Sequence, residues 1–509
     1  MRKTFLGILW LLIGGCVWTG CSDNNDDIPG SNHGQDTNEE GISDEIRYAN
    51  MFGKDAMSLY YYWNEDILND LMQWDIETNE DPIGTVDQIR YHEGDKYIDK
   101  WTMMTNDVEA FNNSVEGIST TFGWNLTVYR LYENSDQCVG VINYVSAGSP
   151  AEQAGLKRGD IIGQLNGESI TTENYLELVY ASSLTIELIT IDRENQSIKP
   201  SGEEVELNAI TMYENPILCD SIYEFNGKKV GYLAYTSFDM NSIPQLVEIG
   251  KKFKAEGVSE LVLDLRYNGG GYVITENVLA SMFAPQAAVD AQEIFEKEVY
   301  NDMMMEVYRK NGIDLNSHFK TEHTFSDING TQRQISTKDA NIGLDKVYGI
   351  ISTGTASASE ALLGGLMPYM DVQLIGRASH GKYCTGVAFS GDGFYENCPD
   401  EIKNWGIYVM VSIYQNAAGE TPCMPDGLQP DIQVTDDPIL PYQFGDVNET
   451  MLRTALTAAG RTYETEAAES RSMSPVRQGL PVTHKASFGK RILLPSALPQ
   501  RLKTPELKN

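Results

Sequence analysis

The run Thr353-Gly354-Thr355-Ala356-Ser357-Ala358-Ser359-Glu360 follows an apolar, strand-like stretch, Tyr348-Gly349-Ile350-Ile351-Ser352, and leads into a helical pattern. A strand-to-helix elbow of this kind sets a serine at a helix N-terminus, where the dipole favours a developing alkoxide. Serine is a weak nucleophile without a base, and a lysine with a lowered pKa can serve as one. Ser379-His380-Gly381-Lys382 supplies a lysine just beyond the next predicted strand, 372–376. Holding a lysine neutral near pH 7 takes about 4–5 kcal/mol of differential stabilisation, which burial against a sheet can provide. Two other pairings draw on the same segment, with Ser359 as nucleophile or His380 as base.

A second segment, Leu261-Val262-Leu263-Asp264-Leu265-Arg266-Tyr267-Asn268-Gly269-Gly270-Gly271, is an apolar strand that ends in three glycines and opens a helix. Backbone N–H groups exposed at such a turn suit a phosphate or a developing oxyanion equally. The segment lacks the GK[ST] of a P-loop and the spaced glycines of a dinucleotide fold, so by itself it is a structural turn.

The elements that position these residues read as an α/β layer pattern. Strand and helix alternate over 229–237, 243–255, 259–265 and 272–283, and further strand–helix–strand steps follow 345. A polar insertion separates them over about 286–340, with 303–307 its clearest apolar helical stretch. Upstream, Tyr48, Phe52, Met57, Tyr60, Trp63 and Ile67 recur at helical spacing and predict a helical core over about 45–110. Between these regions, Gly148-Ser149-Pro150-Ala151-Glu152-Gln153-Ala154-Gly155-Leu156-Lys157-Arg158-Gly159-Asp160-Ile161-Ile162 predicts a short capped helix closed by Gly155, then a turn into a strand. Asn166-Gly167 predicts a hairpin.

This 115–200 region resembles a bacterial PDZ domain. The resemblance implies an extended peptide bound as an added strand, its carboxylate held on backbone N–H groups. It places the carboxylate loop at Phe122-Gly123-Trp124 and has Tyr175 and Leu178 lining the groove. A PDZ fold that has lost its groove and only packs is the alternative.

Taken in order, the glycine segment, the serine elbow, the Gly381-Lys382 pair and Gly427-Leu428-Gln429-Pro430-Asp431 resemble the C-terminal processing (tail-specific) peptidases, serine peptidase family S41. Family members separate the two dyad residues by the 25 positions found between Ser357 and Lys382. The resemblance implies Ser357 as nucleophile and Lys382 as general base. It also implies an oxyanion hole from the N–H of Ala358 and one of Gly270 or Gly271, with Glu360 organising the helix start. One position departs: many members carry GKGTVQ, whose Gln orients the lysine, and here Gly386 stands in that place. This leaves the orienting partner unassigned. It also keeps open a peptide-binding lipoprotein with a degenerate site, beside an esterase-type hydrolase that uses the same serine.

The fold class that follows is multidomain α/β. A lipoprotein signal peptide is expected over 1–21, an acidic tether over 22–44, a helical domain over 45–112 and a PDZ domain over 113–200. A catalytic domain of crotonase/ClpP-like α/β-spiral fold is expected over 201–460, then a basic, disordered tail over 461–509. Arg2-Lys3 and the apolar run after them read as a signal segment. Trp18-Thr19-Gly20-Cys21 resembles a lipobox, with Ile13-Gly14-Gly15-Cys16 as the alternative. Cys21 is the expected lipidation site, in the bacterial cell envelope and at the outer membrane. The net charge of −35 argues against nucleic-acid binding. The five cysteines after the leader and the six scattered histidines show no metal spacing. The expected partners are a peptide or protein substrate and, through the anchor, a membrane; no cofactor or metal is expected.

Overall fold

The computed structural model describes residues 41–131, 135–192, 197–327, 330–463, 478–480 and 490–503. The signal segment, both lipobox cysteines and most of the tether lie outside the described residues.

Two sheets carry the C-terminal part of the chain. The first runs Ile217–Phe225, Lys228–Tyr235, Glu260–Asp264, Lys346–Ile351, Asp371–Gly376 and Ile432–Gln433; the first pair is antiparallel and the rest parallel. Its central strands are apolar runs because both faces are covered, and Leu261, Val262 and Leu263 are fully buried. The C-terminal ends of three adjacent parallel strands lead into the glycine turn, the serine elbow and the lysine loop. This is the edge where open α/β sheets place their ligands.

The second sheet orders Gly270–Tyr272, Lys490–Leu493, Cys384–Ser390, Gly406–Asn416, Ile294–Tyr300 and Asn316–His318, with Met103–Thr105 also on Gly406–Asn416. The helices Val273–Phe283 and Ala358–Leu366 pack against each other at the inner edge of this sheet.

The PDZ region forms its own sheet and core. Ser149 Oγ accepts the N–H of Glu152 at 3.1 Å, and Pro150 occupies the first turn, as the sequence predicts. Asn166 and Gly167 both have positive φ (50° and 81°), the requirement of a tight hairpin turn. The domain is fastened to the first sheet through Arg158, which donates to Asp436 (2.5 Å) and to Tyr267 OH (3.2 Å). Asp436 also accepts from Arg266, which is itself paired with Asp264 and Glu449.

Three parts of the organisation differ from the sequence reading. The helical region at 45–112 does not stand apart: Ser43 caps the helix Asp44–Tyr60, whose apolar stripe joins the catalytic core, with Phe52 on Phe394 (5.3 Å) and Tyr60 on Phe389 (4.8 Å). The region 286–340 is not wholly an insertion, because Ile294–Tyr300 is an interior strand of the second sheet. Nor is the tail disordered throughout, since Lys490–Leu493 lies between two strands of that sheet with Arg491 fully buried. Charge misled the reading in the last two cases. Glu296 and Glu298 point inward, and Arg491 pairs with both.

Candidate active site

Ser357 sits at φ 64°, ψ −114°, in a region that non-glycine residues rarely occupy. Such strain is found where surrounding contacts over-determine the backbone, chiefly at functional sites. The contacts here come from the glycine segment. Thr355 Oγ1 donates to the carbonyl of Leu265 (2.8 Å), Ala356 N–H to that of Asn268 (3.0 Å), and Ser359 Oγ also to Asn268 (3.1 Å). The hydroxyl of Ser359 is thus engaged, whereas buried Ser357 Oγ has no hydrogen-bond partner among the described residues.

Glu360 joins the elbow to the lysine loop. One carboxylate oxygen accepts the N–H of Ser357 (2.7 Å) and that of Lys382 (2.9 Å). The other accepts Ser379 Oγ (2.5 Å) and the N–H of Gly381 (2.7 Å). Burial pushes the carboxyl up to about 7 against these four donors. The two predicted dyad residues therefore meet on a single oxygen atom.

Lys382 is fully buried, and burial lowers its amine to about 8. That displacement from 10.5 corresponds to about 3 kcal/mol in favour of the neutral form. Its Nζ donates to Tyr408 OH at 2.9 Å and lies 5.5 Å from the Trp101 ring centre. Tyr408 OH in turn donates to the carbonyl of Arg491 (2.9 Å). Sequence reasoning missed Tyr408, and the departure at Gly386 is its signal. A Cβ at 386 would run into the Tyr408 ring and the methyl of Met410. The ring fills the space of the missing side chain, and its hydroxyl holds the lysine. His380 packs beside Trp101 (6.2 Å between ring centres), and burial lowers it to about 4.

The structure brings Gly270 against the serine: a Cβ there would lie 2.9 Å from Ser357 Cβ. Its N–H, however, donates to Asn268 Oδ1 at 2.9 Å. Gly271 is held between bonds from Phe238 N–H to Gly270 O and from Tyr272 N–H to Phe238 O, both 2.8 Å. Ala358 opens the serine helix. No cluster of metal-ligating side chains occurs among the described residues. Cys138, Cys219, Cys384, Cys398 and Cys423 are all free thiols, so Cys384 and Cys398 are not paired.

Residues 229–434 match the family model described as Peptidase family S41, and 141–192 match the PDZ domain model. The matched residues 229–434 are an S41 peptidase domain, preceded by a PDZ domain. The chain is 23% identical over 279 residues to a Staphylococcus aureus (strain N315) protein named "Probable CtpA-like serine protease", covering 54% of this chain and 46% of that one. It is 27% identical over 319 residues to a carboxyl-terminal-processing protease of Picosynechococcus sp., covering 61% and 64%. The chain therefore spans about half to two thirds of these relatives' lengths. A crystal structure described as an S41 protease of Bacteroides fragilis NCTC 9343 superposes with a TM-score of 0.60 at 23% identity, covering 80% of this chain and 96% of that one.

The PDZ residues singled out from the sequence lie mostly in that domain's core. Phe122, Trp124 and Leu178 are buried together, and Trp124 Nε1 donates to the Leu178 carbonyl at 2.9 Å. Tyr175 packs at the edge of this cluster. Gly123 has φ 79° and donates its N–H to Thr121 Oγ1 (2.8 Å), and a Cβ there would collide with Ser149. The outer edge of the Trp124–Arg130 strand, where a peptide would add, is paired over Val128 to Arg130 by the chain's own Gln478–Leu480.

In the S41 domain the Tyr408 hydroxyl accepts from the charged amine and so favours it. Removing it in Tyr408→Phe should move the lysine's titration further down. The acid limb of kcat/KM for peptide hydrolysis should shift below its wild-type midpoint near 8, and kcat should fall about 10–10²-fold. An unchanged midpoint would leave Tyr408 a packing residue.

Proposed function

We propose that this chain is a serine-type endopeptidase that cuts peptides or protein tails through an acyl-enzyme on Ser357. One observation carries the reading. A buried serine hydroxyl with no hydrogen-bond partner among the described residues stands on a strained elbow, and its N–H shares one carboxylate oxygen with the N–H of a lysine whose amine burial lowers to about 8.

In this mechanism Lys382 Nζ, in its neutral form, takes the Ser357 Oγ proton as Oγ attacks the scissile carbonyl carbon. Backbone N–H groups around Ala358 and Gly270 receive the oxyanion as the tetrahedral intermediate forms. The C–N bond then breaks, the leaving amine takes the proton from Lys382, and water repeats the cycle on the ester. Gly270 must turn its N–H from Asn268 to take part. The PDZ domain presents the substrate as an added strand on Trp124 to Thr127, the part of that edge which Gln478–Leu480 leaves unpaired. The relatives' names, which describe serine and carboxyl-terminal-processing proteases, support this reaction class.

A second reading, peptide binding without turnover, draws on the engagement of the Gly270 N–H by Asn268. Peptide hydrolysis separates the two. Ser357→Ala and Lys382→Ala should each abolish turnover while keeping the wild-type circular dichroism, and the double variant should be no worse than either single one. A wild type with no turnover on any peptide library favours the binding reading, and turnover retained in Lys382→Ala moves the base elsewhere.

The anchor proposal rests on the Cys21 lipobox and places the protein at the bacterial cell envelope, on the outer membrane. Radiolabelled fatty acid should enter the wild type and not Cys21→Ser. Loss in Cys16→Ser instead would assign the other cysteine.

A further inference from the structure

Ser357 and Lys382 are both fully buried, so a substrate cannot reach them in the arrangement observed. The chain's own Lys490–Leu493 lies beside them, with the Arg491 backbone bonded to the Tyr408 hydroxyl that holds Lys382. It lies parallel between Gly270–Tyr272 and Cys384–Ser390, hydrogen-bonded to both, in the manner of an added strand. Its backbone meets the nucleophile: the space beside Gly270 that a Cβ would fill is bounded by the Lys490 carbonyl and by Ser357 Cβ. The next residue, Arg491, sends its guanidinium into the interior. There Nε donates to Glu276 (2.8 Å), and the two terminal nitrogens bond Glu296 and Glu298. Glu298 is held in turn by Ser412 Oγ (2.6 Å). Burial pushes the Glu276 and Glu296 carboxyls up, and the two side chains hydrogen-bond to each other beside the guanidinium.

The guanidinium donates to all three side chains at once, the match of a planar cation whose donors lie in a fixed fork. We infer that Lys490–Leu493 occupies the substrate-strand position as an intramolecular ligand, and that Glu276, Glu296 and Glu298 form a pocket for a substrate arginine beside the scissile carbonyl. The inference rests on the reading of Ser357 as nucleophile. An incoming strand that carries arginine exchanges one guanidinium for another and leaves the buried charge balance unchanged. A strand without it leaves the buried oxygens of Glu276, Glu296 and Glu298 without the guanidinium donors and should bind about 10²–10³-fold more weakly.

The test uses full-length protein and a fluorescein-labelled synthetic peptide of sequence 486–495. In Ser357→Ala/Arg491→Ala protein, whose own ligand is weakened, this peptide should bind about 10²-fold more tightly than the same peptide with alanine at the arginine. Ser357→Ala alone, with its own strand in place, should bind it at least about tenfold more weakly than the double variant does. Equal affinity for the two peptides, or no binding of either by a double variant with wild-type circular dichroism, overturns the inference. Should that variant fail to fold, hydrogen exchange on the wild type decides. Amides of 490–493 should exchange at least about tenfold faster than those of Cys384–Ser390, as a displaceable strand requires, and equal protection makes the strand a fixed part of the core. Binding does not depend on turnover, so an inert Ser357 would leave these results unchanged.

Discussion

The Glu360 carboxylate accepts four hydrogen bonds, two from backbone N–H groups that flank the dyad and two from the turn before the lysine. It lies one turn inside Ala358–Leu366, a helix buried along its whole length, so neither the acceptor nor the elbow can move without disturbing the core. Take the carboxylate away and several donors lose their partner in the interior, at about 1–3 kcal/mol each. That penalty holds Ser357 in its strained conformation and keeps the lysine loop against the elbow. The carboxylate takes only the backbones of Ser357 and Lys382 and leaves the hydroxyl and the amine outside its hydrogen bonds.

Two buried arginines extend the same logic across the molecule. Arg266 balances Asp264, Glu449 and Asp436, and through Asp436 it ties in Arg158 of the PDZ domain. Arg491 balances Glu276, Glu296 and Glu298. Removing either guanidinium would strand buried carboxylates, at about 3–5 kcal/mol for a broken buried pair. The first cluster lies at the ends of the parallel strands and joins domain to domain. The second ties Lys490–Leu493 to the strand Ile294–Tyr300 and to the helix Val273–Phe283.

The chemistry was legible in the sequence where it is local. Ser357, Glu360 and Lys382 fall within one strand–helix–strand unit, and the apolar runs around Leu263 and Ile350 read directly as buried parallel strands. Tyr408 was not legible, because only the antiparallel register that sets it opposite Ala388 brings it to Lys382, 26 residues away. Ile294–Tyr300 and Lys490–Leu493 were hidden for a different reason. Glutamate or arginine alone reads as solvated, and the two become interior only when paired across 195 residues, as Glu296 and Arg491 are. The run from Gly148 to Ile162 identified the PDZ domain, but Phe122, Trp124 and Leu178, expected at its groove, lie in its core, since periodicity does not separate a groove wall from the core behind it.

The central claim is that Ser357 is activated by an amine titrating near 8. Its most direct measurement is the rate of fluorophosphonate addition to the wild-type protein between about pH 6 and 10, with the adduct located by peptide mass mapping. The account predicts an adduct on Ser357 whose rate of formation rises with pH through a midpoint near 8, as Lys382 loses its proton. An adduct on Ser359, or a rate on Ser357 that does not change over that interval, would contradict it.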